Sequence, residues 1–366
     1  MATWRRITGV AGLAAGAVAA GAGAVVAAER IAIGRTQMLR RTAAPENLGQ
    51  LRGQPLTVIT DDGVSLHAEI DEPPAAGTWA SAAAPPQPLT IIFCHGYTLN
   101  QDCWHFQRAA LGQHRLVFWD QRDHGRSGRS ASGSATIDEL GADLKAVIDA
   151  AAPGPGPIVL VGHSMGGMTI MALALQHPSM FNSKVAGVVL ISTAARGLDR
   201  GSPWMPPPIR PLMCRTLPGV LNAVAKGGCL VERGRKASAD LAFLGTRVIG
   251  FGDGEVSPAT VGFLEQMVRD TPVEVMARFC QALLTCDMRD SLATLGRVPV
   301  VVMVGEKDRL IAPRLGIELA VEIPGAQLIW VPGGGHALIL ERPDLVSDAI
   351  NGLLAKMDAG GLPRSA

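Results

Sequence analysis

Residues 158–175 read IVLVGHSMGGMTIMALAL, and the fold turns on how this stretch is divided. Ile158–Val161 is a short, wholly apolar, mostly β-branched run, as expected of a strand buried on both faces. Met165–Leu175 is almost entirely apolar and stops before Pro178, which reads as a buried helix. Between them, Gly162-His163-Ser164-Met165-Gly166 has to turn the chain sharply from strand to helix. A backbone that doubles back so closely needs small flanking residues, and Gly162, Gly166 and Gly167 supply the room. Such a turn displays the Ser164 hydroxyl at a helix N-terminus, whose free N–H groups favour developing negative charge. A plain N-cap serine among turn glycines is the competing reading. The strand–turn–helix setting favours a nucleophile.

The same rhythm extends outward in both directions. Leu56–Thr60 and Val64–Ile70 flank Asp61-Asp62-Gly63, a hairpin signal. Leu89–Cys94, Leu116–Trp119, Val185–Ser192, Val300–Val304 and Ala326–Val331 are further short apolar strands. Helical spacing marks Ile137–Ala151, and helices are also expected around Pro313–Val321 and Pro343–Met357. Continuous apolar strands alternating with helices predict an α/β fold with a mainly parallel sheet covered on both faces. Residues 196–297 break the pattern. They open with Pro203, Pro206, Pro207, Pro208 and Pro211 and continue with helical stretches at Ala259–Arg269 and Val273–Thr285. An insertion of this kind reads as a helical cap over the carboxyl ends of the strands, where open α/β sheets bind ligands. The expected organisation is an N-terminal segment at 1–42, a core in two parts at 43–195 and 298–358, the cap at 196–297 and a tail at 359–366.

A serine hydroxyl is a poor nucleophile until a base takes its proton. His336 follows Gly333-Gly334-Gly335 directly after the last apolar strand, where a glycine loop lets an imidazole swing over the sheet toward Ser164. The base needs a carboxylate to set its tautomer, and Asp308, just past Val300–Val304, is favoured. Glu306 and Asp199 remain alternatives. The order Ser164, Asp308, His336 is the order in which such a triad occurs after a nucleophile elbow. An oxyanion would be met by the N–H groups of Met165 and Tyr97, the latter in His95-Gly96-Tyr97-Thr98 after strand Leu89–Cys94. His95 and His124 read as structural hydrogen-bonding residues.

Taken together, His95-Gly96-Tyr97, Asp120-Gln121-Arg122-Asp123-His124-Gly125-Arg126-Ser127, Gly162-His163-Ser164-Met165-Gly166-Gly167, Gly305-Glu306-Lys307-Asp308 and Gly335-His336 resemble the α/β-hydrolase superfamily. They look most like its capped serine esterases and monoacylglycerol-lipase-like members. The resemblance runs from about Leu56 to Met357. It implies the eight-stranded α/β-hydrolase sheet, a triad of Ser164, Asp308 and His336, and oxyanion donors at Tyr97 and Met165. One position departs from the pattern: the family commonly has glycine where this chain has Asp123.

A serine at the elbow suits attack on an acyl carbonyl, whereas relatives that open epoxides or remove halide place aspartate there. The expectation is therefore hydrolysis of a small-molecule carboxylic ester, of lipid or other acyl type, through an acyl-enzyme. Carbon–carbon bond hydrolysis or cofactor-free perhydrolysis is the runner-up, and a non-catalytic ligand-binding protein comes third. This chemistry requires no cofactor and no metal. The six cysteines show no CxxC or CxxH spacing. A formal net charge of +1 argues against a nucleic-acid partner.

The N-terminus stands apart. Ile7–Ala28 carries no charge over 22 residues, which as a helix would reach roughly 33 Å, but Ala and Gly dominate it. Arg5-Arg6 precede it and Arg30, Arg35, Arg40 and Arg41 follow. The expectation is a signal or membrane anchor through residues 7–28, hence a membrane-associated or exported protein; the alternatives are a disordered or interfacial Ala-rich tail and a cytoplasmic location. Met205, Ile209, Leu212, Met213, Leu217, Val220, Leu221, Phe263 and Met267 could line an acyl pocket within the cap or simply form its core.

Overall fold

The computed structural model describes residues 47–74, 89–130, 135–196, 219 and 239–359. Residues 7–28, Asp199 and the cap positions from Met205 to Leu221 lie outside these. Among the described residues no helix is long and apolar enough to cross a membrane.

Eight strands form one sheet: β1 (Gln54–Ile59), β2 (Ser65–Asp71), β3 (Thr90–Cys94), β4 (Arg115–Trp119), β5 (Ile158–His163), β6 (Val185–Ile191), β7 (Val300–Gly305) and β8 (Gln327–Val331). Their spatial order is β1-β2-β4-β3-β5-β6-β7-β8. Only β1–β2 and β2–β4 pair antiparallel, and the rest are parallel. The hairpin around Asp61-Asp62-Gly63 is the source of the antiparallel edge, with Gly63 at a φ of 82°.

The helices follow from the sequence pattern. After α1 (His105–Ala110) comes α2 (Ile137–Ala151), which begins at a reciprocal cap in which Thr136 and Glu139 satisfy each other's backbone N–H groups. Next are α3 (Met165–Gln176), α4 (Ala239–Gly250), α5 (Pro258–Asp270), α6 (Val273–Thr285) and α7 (Leu292–Leu295). The chain ends on α8 (Pro313–Glu322), α9 (Leu338–Glu341) and α10 (Pro343–Ala359). Every residue of β3, β5 and β7 is buried, because helices cover both sheet faces. Leu140 and Leu144 of α2, Ile170 and Leu173 of α3 and Leu319 of α8 share one apolar layer. Trp104, Phe118 and, from α10, Ile350 and Leu353 share the other.

Strand β8 departs from the expectation of full burial. Leu328 and Trp330 are about two-fifths exposed, at 40% and 41%. The reason is position: β8 is the edge of the sheet, which a continuous apolar run cannot reveal. A second difference lies at the end of β6. The strand stops at Ile191, and Ser192 turns into the left-handed region at φ 49°.

The insertion after β6 has a defined neck. Arg196 and Asp287 form an antiparallel bridge, and the Met288 N–H donates to the Ala195 carbonyl at 2.7 Å. Helices α4, α5 and α6 lie between these points, two of them within a residue of the stretches read from sequence.

Candidate active site

Ser164 sits between β5 and α3 at φ 53° and ψ −119°, a conformation that costs a non-glycine residue on the order of 1–3 kcal/mol. Its surroundings hold it there. The Ser164 N–H donates to the Ile191 carbonyl at 2.9 Å, and the Thr193 hydroxyl donates to the Ser164 carbonyl at 2.7 Å. A side chain at Gly166 would land on the Cys94 carbonyl, and one at Gly162 would come within 2.6 Å of the Gly166 carbonyl. The elbow is therefore locked from β3, β6 and its own helix, and Ser164 alone in it is part exposed among buried neighbours.

His336 follows β8 and is 7% exposed, with its Nδ1 2.9 Å from Asp308 Oδ2. The other carboxylate oxygen of Asp308 accepts the N–H groups of Leu310 at 2.9 Å and Ile311 at 2.8 Å. Asp308 is thus a fixed anchor, and a ring facing it with Nδ1–H leaves Nε2 free to accept a proton. Glu306 does something else: its carboxylate accepts the Gly333 N–H at 2.9 Å and so braces the glycine loop.

The link between the elbow and this pair runs through His163. Its Nε2–H donates to the His336 carbonyl at 3.0 Å, and the two rings lie 5.0 Å apart. Residue 163 thereby ties the backbone of His336 to the position preceding Ser164. Among the described residues no hydrogen bond joins the Ser164 hydroxyl to His336, and such contacts commonly tighten only with substrate bound.

The loop after β3 is pinned just as firmly. The Gln121 N–H donates to His95 Nε2 at 2.9 Å, so the His95 proton is on Nδ1, which donates to the Gly96 carbonyl at 2.8 Å. The Gln121 amide donates back to the His95 carbonyl at 2.6 Å and accepts from Thr169 of α3 at 2.6 Å. Gly96 is needed because a Cβ there would meet the His163 ring at 2.8 Å. Thr98 takes a φ of 61°, and the Tyr97 hydroxyl donates to the Met276 carbonyl of α6 at 2.6 Å. Burial pushes that phenol well above its ordinary range. Tyr97 and Met165 therefore lie on two fixed turns at the carboxyl ends of β3 and β5.

Three other histidines crowd this end of the sheet and are unfit as bases. Burial, reinforced by His124, holds His95 down to about 3. Burial, helped by the charge of Arg129, brings His124 to about 4, and burial with the neighbouring His336 brings His163 to about 3. Each is a neutral hydrogen-bonding group at any working pH.

A profile of the alpha/beta hydrolase family matches residues 91–349, well over half of the chain. The chain belongs to the alpha/beta hydrolase family. Among relatives, it is 29% identical over 271 residues to a pimeloyl-[acyl-carrier protein] methyl ester esterase of Stenotrophomonas maltophilia, covering 73% of this chain and 93% of the relative. It is 27% identical over 268 residues to a putative carbamate hydrolase, RutD, of Caulobacter sp., covering 73% and 90%. The enol-lactonase from Burkholderia xenovorans superimposes with a TM-score of 0.61 at 26% identity, over 82% of this chain and all of that one. An esterase from Thermogutta terrifontis gives 0.62 at 25%, over 83% and 99%. By their descriptions these relatives are a methyl ester esterase, a putative carbamate hydrolase, an enol-lactonase and an esterase, and this chain is a hydrolase of that family.

Asp123, where the family resemblance implies glycine, takes a left-handed backbone at φ 66°, in the alpha/beta hydrolase loop after β4. It is fully buried, accepts the Ser130 N–H at 3.0 Å, and lies 3.7 Å from Arg278 of α6. His124 beside it packs edge-on against Phe279 of the same helix at 5.0 Å. Of the cap residues considered as pocket lining, Met267 is buried in the apolar core and Phe263 packs against Gly49, so both serve packing. The parts of the site not read from sequence are His163 and Thr193. The histidine inside Gly162-His163-Ser164 was the available signal for the first, since a polar ring in a buried turn must find a partner.

Proposed function

We propose that this protein is a serine esterase that cleaves carboxylic esters with an apolar acyl group, through an acyl-enzyme on Ser164. The observation that carries the reading is the 2.9 Å contact of Asp308 with Nδ1 of His336, on a loop whose carbonyl is bonded to the residue before Ser164. In the first step His336 Nε2 takes the Ser164 proton as the hydroxyl oxygen attacks the acyl carbonyl, and Asp308 stabilises the imidazolium. The oxyanion then receives the N–H groups of Tyr97 and Met165. Collapse of the tetrahedral intermediate expels the alcohol, which takes its proton from His336. Water activated by the same ring releases the acid.

The helices inserted between β6 and α7 would act as the cap over this site, since α6 touches Tyr97 and the His124 turn. The relatives named above act on a methyl ester, a carbamate and an enol-lactone by their descriptions, which supports an acyl-carbonyl substrate. The test is turnover of p-nitrophenyl esters from two to sixteen carbons by wild type and Ser164→Ala. Activity on four carbons and longer that vanishes in the variant is expected. A sharp optimum at acetyl would remove the apolar-acyl part, and an active Ser164→Ala would remove the mechanism.

A further inference from the structure

Glu341 closes α9, five residues after His336, and is only 7% exposed. Its carboxylate is not turned to solvent but into the junction of two glycine segments. One oxygen accepts the Gly335 N–H at 2.7 Å, and both oxygens lie 3.1 Å from the Gly252 nitrogen. Gly335 immediately precedes His336, and Gly252 lies two residues beyond the end of α4, where the inserted helices turn back.

The two segments touch directly at this point. The Ala337 N–H donates to the Gly250 carbonyl at 2.7 Å, and the Asp253 N–H donates to the Gly333 carbonyl at 2.8 Å. A side chain on Gly335 would strike the Gly252 nitrogen, so nothing larger than glycine permits the approach. Oε2 lies within reach of both converging N–H groups and Oε1 adds a second contact to Gly252, and a charged acceptor holds such donors more strongly than a neutral one. Arg342 Nη1 stands 3.7 Å from the carboxylate, and Arg247 donates to the Gly252 and Gly254 carbonyls.

We infer that Glu341 is a positioning residue for His336, holding the loop of the base against the turn after α4 through the Gly335 and Gly252 N–H groups. The inference rests on the serine-esterase reading. Together with His163 on the carbonyl side, it clamps His336 from both ends of its peptide neighbourhood. Asp308 sets the ring's tautomer, and Glu341 sets where the ring stands. Because the same carboxylate grips the inserted helices, a displacement of α4 is passed to the base.

The experiment uses the full chain as wild type, Glu341→Gln and Glu341→Asp. It measures the second-order rate of labelling by an alkyl fluorophosphonate, kcat and KM on p-nitrophenyl butyrate, and the thermal midpoint. Glutamine with its oxygen in the place of Oε2 keeps the Gly335 N–H but loses the charge and sets its amide hydrogens against the Gly252 N–H, so the clamp is weakened on the side of the inserted helices. The expected result is labelling and kcat each lower by about 10- to 100-fold with KM within about threefold of wild type. Aspartate, which keeps the charge on a shorter stem, should recover part of that loss, and it carries the same readings should the glutamine chain fail to accumulate. A variant that melts earlier yet labels at the wild-type rate overturns the inference, leaving Glu341 a structural clamp alone. An unlabelled wild type would instead sink the serine reading beneath it.

Discussion

Replacing Asp308 by asparagine changes one atom, and the structure determines which way the new amide must turn. Oδ1 of Asp308 accepts two backbone N–H groups, from Leu310 and Ile311, while Oδ2 faces His336 Nδ1. If the asparagine oxygen turned to the histidine, its NH2 would oppose both N–H groups. Leaving the buried Ile311 N–H unpaired would cost about 1–3 kcal/mol, and the partly buried Leu310 N–H would add to it. The oxygen therefore stays with Leu310 and Ile311, and the NH2 confronts His336. The ring must then accept at Nδ1 and carry its proton on Nε2, where Ser164 needs a base. By the measured cost of the wrong tautomer in serine proteases, kcat should fall about 10⁴-fold, which is about 5.4 kcal/mol of transition-state stabilisation. Initial rates on p-nitrophenyl butyrate read the loss, and a thermal midpoint close to wild type excludes unfolding as its cause. Near-full activity in a folded Asp308→Asn would refute the reasoning and move the acid to another carboxylate, with Asp199 next to be tested.

Tyr97→Phe removes the hydroxyl bond to Met276 and should lower unfolding stability by about 0.5–1.5 kcal/mol in urea titrations, with unchanged stability counting against a tie between α6 and the loop after β3. Gly166→Ala drives a methyl into the Cys94 carbonyl and should cost about 3 kcal/mol or more, read as loss of soluble, cooperatively melting protein. The neutral histidines give a pH dependence of defined sign. With folded values of about 3, 4 and 3 against an unfolded value near 6.5, His95, His124 and His163 bind protons only on unfolding as pH falls. Their contribution is intact above pH ~6.5 and is lost progressively below it, toward the folded values. Unfolding free energy should drop by about 4 kcal/mol between pH ~7.5 and ~5.5, and a flat profile over that window would contradict the burial of these rings.

Much of this architecture was legible before any coordinates. The division of residues 158–175 into strand, elbow and helix located Ser164, and the 3.6-residue spacing of α2 matched its observed limits. Asp308 and His336 were legible because each follows directly on a strand run of a recognisable kind. What stayed hidden depends on neighbours distant in sequence. Trp330 in β8 reads like any buried strand residue, and only its place at the sheet edge exposes it. Glu341 reads as an ordinary helix-end charge, and only the approach of Gly252 from the other side of the insertion gives its carboxylate work. Asp123 was visible as a departure from the family pattern, but its meeting with Arg278 depends on where α6 docks.

The central claim is that Ser164 is the nucleophile, activated by His336. It is tested most directly by peptide-level mass spectrometry of wild-type protein and of His336→Ala after brief exposure to an alkyl fluorophosphonate. A single phosphonyl adduct on the peptide carrying Ser164 in wild type, formed far more slowly in His336→Ala, is the predicted result. An adduct on another residue, or equal modification of Ser164 in both proteins, would contradict it.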